Sequence, residues 1–308
     1  MRHILILICG LFYYASLLAQ NPLVTKDSLA QKAWVDNQYA LMSLDEKLGQ
    51  LFMVSVASNQ SNQATNQIKN LIVQEHLGGV IFSKGGPVRQ AKLTNEYQAA
   101  SKIPLLIGMD AEWGLSMRLD STYAFPWNMT LGAIQNNSVV EKVGYQIGKH
   151  AKRLGVHINF APDLDINTNP NNPIIGNRSF GDDRDNVVDK GIAFVRGMER
   201  AGVLANGKHF PGHGDTAVDS HHNLPVIPFS RKRLDSLELY PFKKLIKAGL
   251  SSIMVAHLEV PALEIQKGMP SSISEQIISG LLKEDLRYEG LIFTDALNMK
   301  GVSTKGNN

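Results

Sequence analysis

Residues 203–222 read V-L-A-N-G-K-H-F-P-G-H-G-D-T-A-V-D-S-H-H. The apolar run at 203–206 predicts a short buried β-strand. The part that follows, 208–222, contains four of the nine histidines of the chain, two aspartates and a lysine. Histidine and aspartate are the usual groups that move protons near neutral pH. The end of this strand is therefore a candidate site for chemistry.

Strand-like runs and helical patterns alternate along the chain on both sides of this segment. Strands that alternate with helices predict a parallel sheet with right-handed crossovers. Helical patterns occur at 60–75, 88–101, 139–154, 184–201, 230–248 and 274–286. Strand-like runs occur at 51–56, 78–82, 104–108, 156–160, 203–206, 252–256 and 290–294.

Polar or charged residues stand at the carboxyl end of strand after strand. In a (β/α)₈ barrel these ends converge on one mouth, where the site is built. An open doubly wound sheet would bind ligands at one crevice instead, but no glycine-rich dinucleotide fingerprint follows the first strand. We therefore predict an α/β fold of the (β/α)₈ TIM-barrel class. The strand-end residues are Asp110, Asp163, Lys208, His257 and Asp295.

The predicted barrel is one strand short. Seven strand-like runs are present where eight are needed, and thirteen residues follow Asp295. The polar tail 303–308 has no strand or helix pattern. We expect the last strand and helices to be missing, rather than an early strand to have been overlooked. A sheet with two unpaired edges would leave this chain poorly stable on its own.

The first twenty residues predict a signal peptide. Arg2 and His3 precede an apolar run at 4–18, which ends in small residues and is short for a membrane span. We divide the chain into a signal peptide, 1–20, and an incomplete barrel domain, 21–308. We expect a periplasmic or secreted protein, with an uncleaved N-terminal anchor as the alternative. Cys9 is the single cysteine, so the mature chain would have no disulfide and no thiol nucleophile.

Composition excludes some partners. The chain of 308 residues is 44% hydrophobic and 19% charged, as in ordinary globular proteins. Its net charge of +3 is small, and the basic residues are scattered rather than arranged in a stripe with aromatic residues. We expect no nucleic-acid partner and no membrane contact beyond the signal peptide.

Two groups are candidates for acid–base or nucleophilic chemistry. Asp295 follows a buried strand, where a carboxylate is either a helix N-cap or a reactive group. Asp219 and His221 are two residues apart in a stretch without helical pattern. A tight turn there can place the carboxylate against the imidazole, which favours a protonated ring able to donate near pH 7. The alternative is a loop histidine beside a solvated aspartate.

The histidine cluster also raises the possibility of a metal. His209 and His213 are four residues apart, as in zinc sites on helices. Pro211 and Gly212 lie between them, so a helix there is disfavoured. We expect no metal and no cofactor, and a metal-dependent hydrolase stays as an alternative.

Further charged residues in and near the strand ends suit a polyhydroxylated ligand, which needs several fixed donors and acceptors. Trp113 lies close to them in sequence and could stack on a sugar face. Taken one at a time, each of these charged residues is more often a member of a structural ion pair or a solvated loop residue. The candidates are Asp110, Arg118, Arg178, Lys208 and His209.

Four segments carry a resemblance to a known family. The stretch K-H-F-P-G-H-G-D-T-A-V-D-S-H at 208–221 resembles a motif of the β-N-acetylglucosaminidases of glycoside hydrolase family 3. Segments 167–180 and 109–112 are similar to two further segments of those enzymes, and 294–299 is similar to the one with the nucleophile. The resemblance extends from about residue 40 to the end of the chain.

The resemblance implies a (β/α)₈ barrel that hydrolyses terminal β-linked N-acetylglucosamine with retention, and a small carbohydrate or muropeptide substrate derived from peptidoglycan. Asp295 would be the nucleophile, and His221, oriented by Asp219, would be the acid and then the base. A histidine would thus replace one of the two carboxylates that retaining glycosidases normally use. The sugar would be held by Asp110, Arg118, Arg178, Lys208 and His209.

One departure and two further alternatives go with this resemblance. Trp113 stands where the family pattern D-x-E-G-G has its first glycine, which affects the outer pocket. A histidine acid tolerates an anionic acceptor better than a glutamate does, so transfer of the sugar to phosphate is one alternative. A sugar-binding protein without turnover is the other.

Overall fold

One sheet of seven parallel strands forms the centre of the protein. The computed structural model describes residues 23, 25, 27–217 and 223–303. The strands lie in chain order, each paired with the next. All seven predicted strands and their parallel arrangement are confirmed. Their bounds are β1 Met53–Ala57, β2 Gly79–Lys84, β3 Leu106–Met109, β4 Ile158–Asn159, β5 Leu204–Phe210, β6 Ser252–Val255 and β7 Leu291–Thr294.

Helices occupy most of the connections between the strands. Several begin at side-chain caps; Asp183, for example, accepts the backbone N–H of Asn186. A π-helix, Gln276–Asp285, precedes β7. The helices are α1 Ser28–Leu41, α2 Leu44–Gly49, α3 Asn62–Gln74, α4 Pro87–Ala100, α5 Asn128–Gly132, α6 Asn137–Arg153, α7 Arg184–Arg200, α8 Arg231–Ser236, α9 Tyr240–Lys247 and α10 Lys300–Ser303.

The single helix predicted over 230–248 is wrong. The structure divides this segment into α8 and α9, and Pro241 lies in the first turn of α9. Proline lacks the N–H that a continuous helix needs, but it is tolerated in a first turn, where that N–H has no partner in the helix. The helix therefore restarts at this position instead of running through it.

Apolar side chains fill both faces of the sheet. Inside the curl, Ile158, Phe160 and Met254 form a small buried cluster. Outside it, a larger core packs the sheet against the helices. Helices α6 and α7 approach each other closely because glycines lie between them; a Cβ on Gly197 would stand 2.0 Å from the carbonyl oxygen of Glu141. This layering of helices around parallel strands confirms the predicted fold class.

The sheet is open between β1 and β7. Within residues 27–217 and 223–303, no eighth strand closes the barrel. The exposed edge strand β7 is only partly buried along its length.

No helix in the described part of the chain is long and apolar enough to cross a membrane. The predicted signal peptide, 1–20, lies outside the described residues, so it stays a prediction.

Candidate active site

Strand β5 carries two of the predicted site residues. It continues to Phe210, beyond the predicted strand end at Lys208, so Lys208 and His209 both lie within the strand. The backbone N–H of Lys208 donates to the carbonyl of Pro162, and the N–H of Leu164 donates to the carbonyl of Lys208. Both side chains thus start from a backbone that is fixed against the end of β4.

Lys208 connects two carboxylates at the end of β3. Its Nζ lies 2.8 Å from Asp110 Oδ1 and 2.8 Å from Glu112 Oε1. Arg118 Nη2 approaches the other oxygen of Asp110 at 2.7 Å. Burial by itself would raise the pKa of Asp110, but the charges of Lys208 and Arg118 outweigh it and the pKa is lowered. Asp110 is therefore a fixed carboxylate at neutral pH.

Arg178 forms a bidentate ion pair with the second carboxylate, Glu112. Its Nη2 and Nε donate to Glu112 at 2.8 Å and 3.0 Å, and the Glu112 side chain is completely buried. Burial opposes ionisation of Glu112, yet the charges of Lys208 and Arg178 hold its pKa well below the usual range. Arg178 comes from the connection after β4 and is kept in place by Asn128, whose amide donates to its carbonyl at 2.7 Å.

Glu112 is a site residue that the sequence pattern alone did not predict. It stands in the segment 109–112, two positions after Asp110. Its partner Arg178 is 66 positions further along the chain, and the pair meets because the ends of β3 and β4 are adjacent in the sheet. The spacing of two after a strand-end aspartate was the available signal.

His209 is a neutral link between Arg178 and a second buried carboxylate, Asp165. Burial, aided by the Arg178 charge, lowers the pKa of His209 to about 4. Nδ1–H of the neutral ring donates to Asp165 Oδ2 at 2.7 Å, and Nε2 accepts from Arg178 Nη2 at 3.3 Å. The contact between His209 and Asp165 is therefore a hydrogen bond from a neutral ring. Asp165, in the A-P-D-L-D segment, was also missed as a site residue.

His213 closes the turn after β5. Its backbone N–H donates to Asp165 Oδ1 at 2.5 Å, and its ring Nδ1 lies 2.6 Å from Thr216 Oγ1. Gly214 follows where a Cβ would stand 1.9 Å from the carbonyl oxygen of Ile166, so only glycine fits. These contacts make His213 a structural part of this loop.

Asp295 lies directly after β7. Its N–H donates to the carbonyl of Val255 at 2.9 Å, and its Oδ1 accepts the N–H of Ala296 at 2.7 Å. The next helix begins at Lys300, so Asp295 is not a helix N-cap. Buried His257 supports this turn: its Nε2 donates to the carbonyl of Ala296 at 3.0 Å. Asp295 is half-buried and presents a carboxylate at the mouth.

The ends of β5 and β7 lie close enough for Asp295 to affect the ring of His209. Burial lowers the pKa of His209, and the charge of Asp295 partly opposes that effect. The same holds for His213. The predicted nucleophile and the predicted sugar-binding residues therefore share one mouth.

The predicted acid–base pair, Asp219 and His221, lies outside the described residues and stays a prediction. The chain leading to it is anchored: Asn172 Nδ2 donates to the carbonyl of His213 at 2.8 Å. Arg233 Nη2 lies 2.8 Å from Asp215 Oδ2.

One cluster in the described residues offers three atoms that could hold a metal ion. Asp163, Asp165 and His209 each place a donor atom within 4.8 Å of the others. Arg178, however, already lies 3.3 Å from His209 Nε2 and 3.7 Å from Asp163 Oδ2. A guanidinium in that position opposes a second cation by charge repulsion.

A parallel α/β barrel domain with fixed cations, carboxylates and Asp295 at its carboxyl mouth belongs to the class of barrel domains that build a site from the ends of their strands. The comparison with protein families makes this specific: the model of the "Glycosyl hydrolase family 3 N terminal domain" matches residues 43–308. The chain belongs to glycosyl hydrolase family 3, and the predicted resemblance is confirmed.

Individual relatives agree with this assignment. Beta-hexosaminidase A from Pseudoalteromonas piscicida is 37% identical over 92% of this chain and 50% of its own length. A family 3 β-N-acetylglucosaminidase structure from Paenibacillus matches with 41% identity and a TM-score of 0.80, over 86% of this chain and 51% of its own. The β-glucoside phosphorylase BglX, bound to 2FGlc, matches with 30% identity and a TM-score of 0.85, over 94% and 53%. This chain spans about half the length of the first two curated relatives.

Proposed function

We propose that the protein is a retaining glycosidase that removes terminal β-linked N-acetylglucosamine. The observation that supports this most is the network of Asp110, Lys208, Glu112 and Arg178, which His209 extends to within electrostatic range of Asp295. A pyranose carries several hydroxyl groups and needs donors and acceptors that do not move when it binds. The similarity to proteins named β-hexosaminidase favours an N-acetylated sugar.

Different residues of the network supply the acceptors and the donors for the sugar hydroxyl groups. Asp110 is a fixed acceptor for sugar hydroxyls, since Lys208 and Arg118 keep it ionised. Arg178, Lys208 and His209 border the same space, and Arg178 and Lys208 are positively charged donors. Binding energy comes from groups that are already oriented, so little ordering remains when the sugar binds.

The reaction then follows a double displacement. An oxygen of Asp295 attacks the anomeric carbon, and the glycosidic bond breaks as its oxygen takes a proton from His221. Water next gives its proton to His221 and attacks the anomeric carbon, which releases Asp295 and leaves the sugar with its original configuration. Asp219 orients His221 in both steps; these two roles rest on the resemblance at 208–221.

Export and the natural substrate belong to the same proposal. The first twenty residues support a signal peptide, and we infer a periplasmic or secreted protein that acts on peptidoglycan fragments. Measuring release of N-acetylglucosamine from purified muropeptides, with chitin disaccharide as a comparison substrate, tests the substrate class. Equal rates on both would contradict a preference for peptidoglycan fragments.

The deciding experiment follows an aryl β-N-acetylglucosaminide by proton NMR in the complete protein. We expect the β-anomer of the free sugar to form first, because two displacements retain configuration. Initial formation of the α-anomer would exclude Asp295 as the nucleophile. Full activity in a metal chelator is also expected, and loss of activity would favour the metal-dependent alternative.

Transfer to phosphate is a second candidate, favoured by the likeness to a structure described as a β-glucoside phosphorylase. The same assay separates the two by adding inorganic phosphate. Hydrolysis yields free sugar at a rate that phosphate leaves unchanged. Phosphorolysis yields the sugar 1-phosphate, with a rate that rises with phosphate concentration.

A further inference from the structure

Asp163 is a buried carboxyl group that the hydrolytic mechanism does not use. It lies on the chain just after the end of β4, and its side chain is 0% exposed, so it cannot touch the sugar directly. Its Oδ1 accepts the N–H of Asp165 at 3.0 Å. Its Oδ2 has no hydrogen-bond partner in the described part of the structure. A buried oxygen without a partner is costly, so this atom needs either a proton or a donor.

The groups around Asp163 do not supply that donor. Arg178 Nη2 lies 3.7 Å from Oδ2 and His209 Nδ1 lies 3.8 Å away, both beyond hydrogen-bond distance. Both nitrogens already have other acceptors, Glu112 and Asp165. An Asp165 oxygen lies within 4.8 Å of an Asp163 oxygen, so two buried carboxyl groups are neighbours.

The charges of the cluster balance only when one of the two neighbouring aspartates, Asp163 or Asp165, is neutral; they are counted here with the proton on Asp163. His209 is neutral because burial lowers its pKa to about 4. The remaining charges are then three cations against three carboxylates. An ionised Asp163 would add a fourth buried anion without a cation of its own. The six balanced side chains are Arg118, Arg178, Lys208, Asp110, Glu112 and Asp165.

The hydrogen bonds decide which of the two aspartates carries the proton. Asp165 accepts three N–H donors: the His209 backbone at 3.1 Å, His209 Nδ1 at 2.7 Å and the His213 backbone at 2.5 Å. Asp163 accepts one. Donated hydrogen bonds favour the ionised form. Burial raises the pKa of Asp163, and the charge of Asp165 raises it further, which agrees with this assignment.

We propose that Asp163 is a positioning residue that stays protonated, donates a hydrogen bond to Asp165, and so holds the His209–Arg178 pair in place against the sugar. The path runs through Asp165, which binds His209, whose Nε2 accepts from Arg178. The effect on the sugar rests on the proposed function; the protonated state of Asp163 does not.

A loss of this proton disturbs the site in a predictable direction. The charged groups that face Asp163 are Asp165, Arg178 and Glu112, with the neutral ring of His209 beside them. An ionised Asp163 repels Asp165 and attracts Arg178 away from Glu112. Sugar binding therefore weakens at basic pH, as Asp163 loses its proton.

Two variants test whether the side chain of Asp163 acts as a neutral hydrogen-bond donor or as a charged acceptor. Asp163→Asn keeps an N–H donor without a charge, and Asp163→Leu keeps a similar volume without a donor. Binding of N-acetylglucosamine to the complete protein is measured by calorimetry between about pH 5 and pH 9. We expect the Asn variant to stay within about threefold of the wild-type Kd at pH 6 and to lose the basic weakening, and the Leu variant to bind about tenfold more weakly or worse. An Asn variant that is as weak as the Leu variant would overturn the proposal.

A second measurement does not depend on the sugar. An acid with a raised pKa in the folded state stabilises the fold most below its unfolded pKa of about 4, and this stability is lost as pH rises toward the folded pKa. In urea unfolding, Asp163→Asn therefore becomes more stable relative to wild type as pH rises. A constant difference, or an Asn variant that loses stability relative to wild type, would show an ionised Asp163 and overturn the proposal. If wild type neither binds nor cleaves the sugar, the proposed function fails while this result still decides the protonation.

Discussion

The two sides of the mouth are built differently. On the side of β3 to β5, the side chains of Glu112, Lys208 and His209 are almost fully buried and each has a charged or hydrogen-bonding partner from another strand end. On the side of β7, Asp295 is half-buried, and its carboxylate accepts the N–H of its own neighbour Ala296. The side proposed to bind the sugar, called the binding side below, is thus fixed by its own contacts, while the side of the proposed nucleophile is accessible.

This difference fits the separate demands of binding and of attack. Groups that hold a sugar work best when they are oriented in advance and shielded from water. A nucleophile must reach the anomeric carbon, so it needs an open approach. Substitutions on the two sides should therefore have different effects. Those on the β3–β5 side should lower stability and sugar binding, and those on the β7 side should lower turnover.

Removal of the nucleophile should give the largest effect. Asp295→Asn keeps the shape of the side chain but cannot form the glycosyl-enzyme, so we expect kcat for an aryl N-acetylglucosaminide to fall by more than about 10³-fold. Urea unfolding should be nearly unchanged, because the carboxylate is only half-buried. Asp36→Asn, on an exposed helix face, is the matched control and should keep wild-type kcat. Normal turnover by the Asn variant would remove Asp295 from the mechanism.

On the binding side, Arg178→Ala should first affect the fold. It leaves Glu112 buried with Lys208 as its one remaining cation, and breaking a buried pair costs about 3–5 kcal/mol of unfolding free energy. Denaturant titration measures this cost. The control Arg231→Ala removes an exposed pair with Asp235 and should change stability by less than about 1 kcal/mol. Equal losses in the two variants would contradict a rigid binding side.

Acid should destabilise the binding side through His209. Burial lowers its folded pKa to about 4, below the ordinary value of about 6.5, so the unfolded chain binds more protons between these values. Stability therefore falls as pH drops from about 6.5 to 4, by roughly 1–3 kcal/mol from this residue. His209→Gln cannot titrate and should flatten that part of the curve. Identical pH dependence in both proteins would show that the pKa of His209 is not lowered in the fold.

The smallest effect on activity is expected for a substitution at Ser272, which contacts the histidine that supports the turn after Asp295. Ser272 Oγ lies 2.6 Å from Nδ1 of His257, whose Nε2 supports the turn after β7. Ser272→Ala should lower kcat by about threefold to tenfold with little change in KM, since a loosened His257 misplaces the nucleophile rather than the sugar. Ser138→Ala, on an exposed helix end, serves as the control. A change confined to KM would place His257 on the binding side instead.

The sequence predicted the strands, and the meeting of polar residues at their ends, for a physical reason. Parallel strand ends converge, so the polar residues after β3 and β5, such as Asp110 and Lys208, had to meet. Glu112 and Asp165 could not be paired with Arg178 and His209 in advance, because such pairs depend on side-chain directions that no local pattern encodes. Asp219 and His221 remain predicted from their motif.

The helix prediction failed where local chemistry competed with periodicity. The apolar spacing over 230–248 continues through Pro241, and periodicity favoured one helix. The proline decided the outcome, because it cannot give the N–H that an uninterrupted helix requires at that point. Charge pairing and proline placement thus account for the two kinds of miss.

The sharing of Lys208 between Asp110 and Glu112 limits how this site can be redesigned. Lys208, Asp110 and Glu112 each pair with two oppositely charged groups, so a single replacement leaves a charge without one of its partners. Substitutions in contact are not additive, and their coupling can be as large as the individual effects. A new sugar preference will therefore be reached more readily by paired changes, such as Arg178 together with Glu112, than by any series of viable single steps.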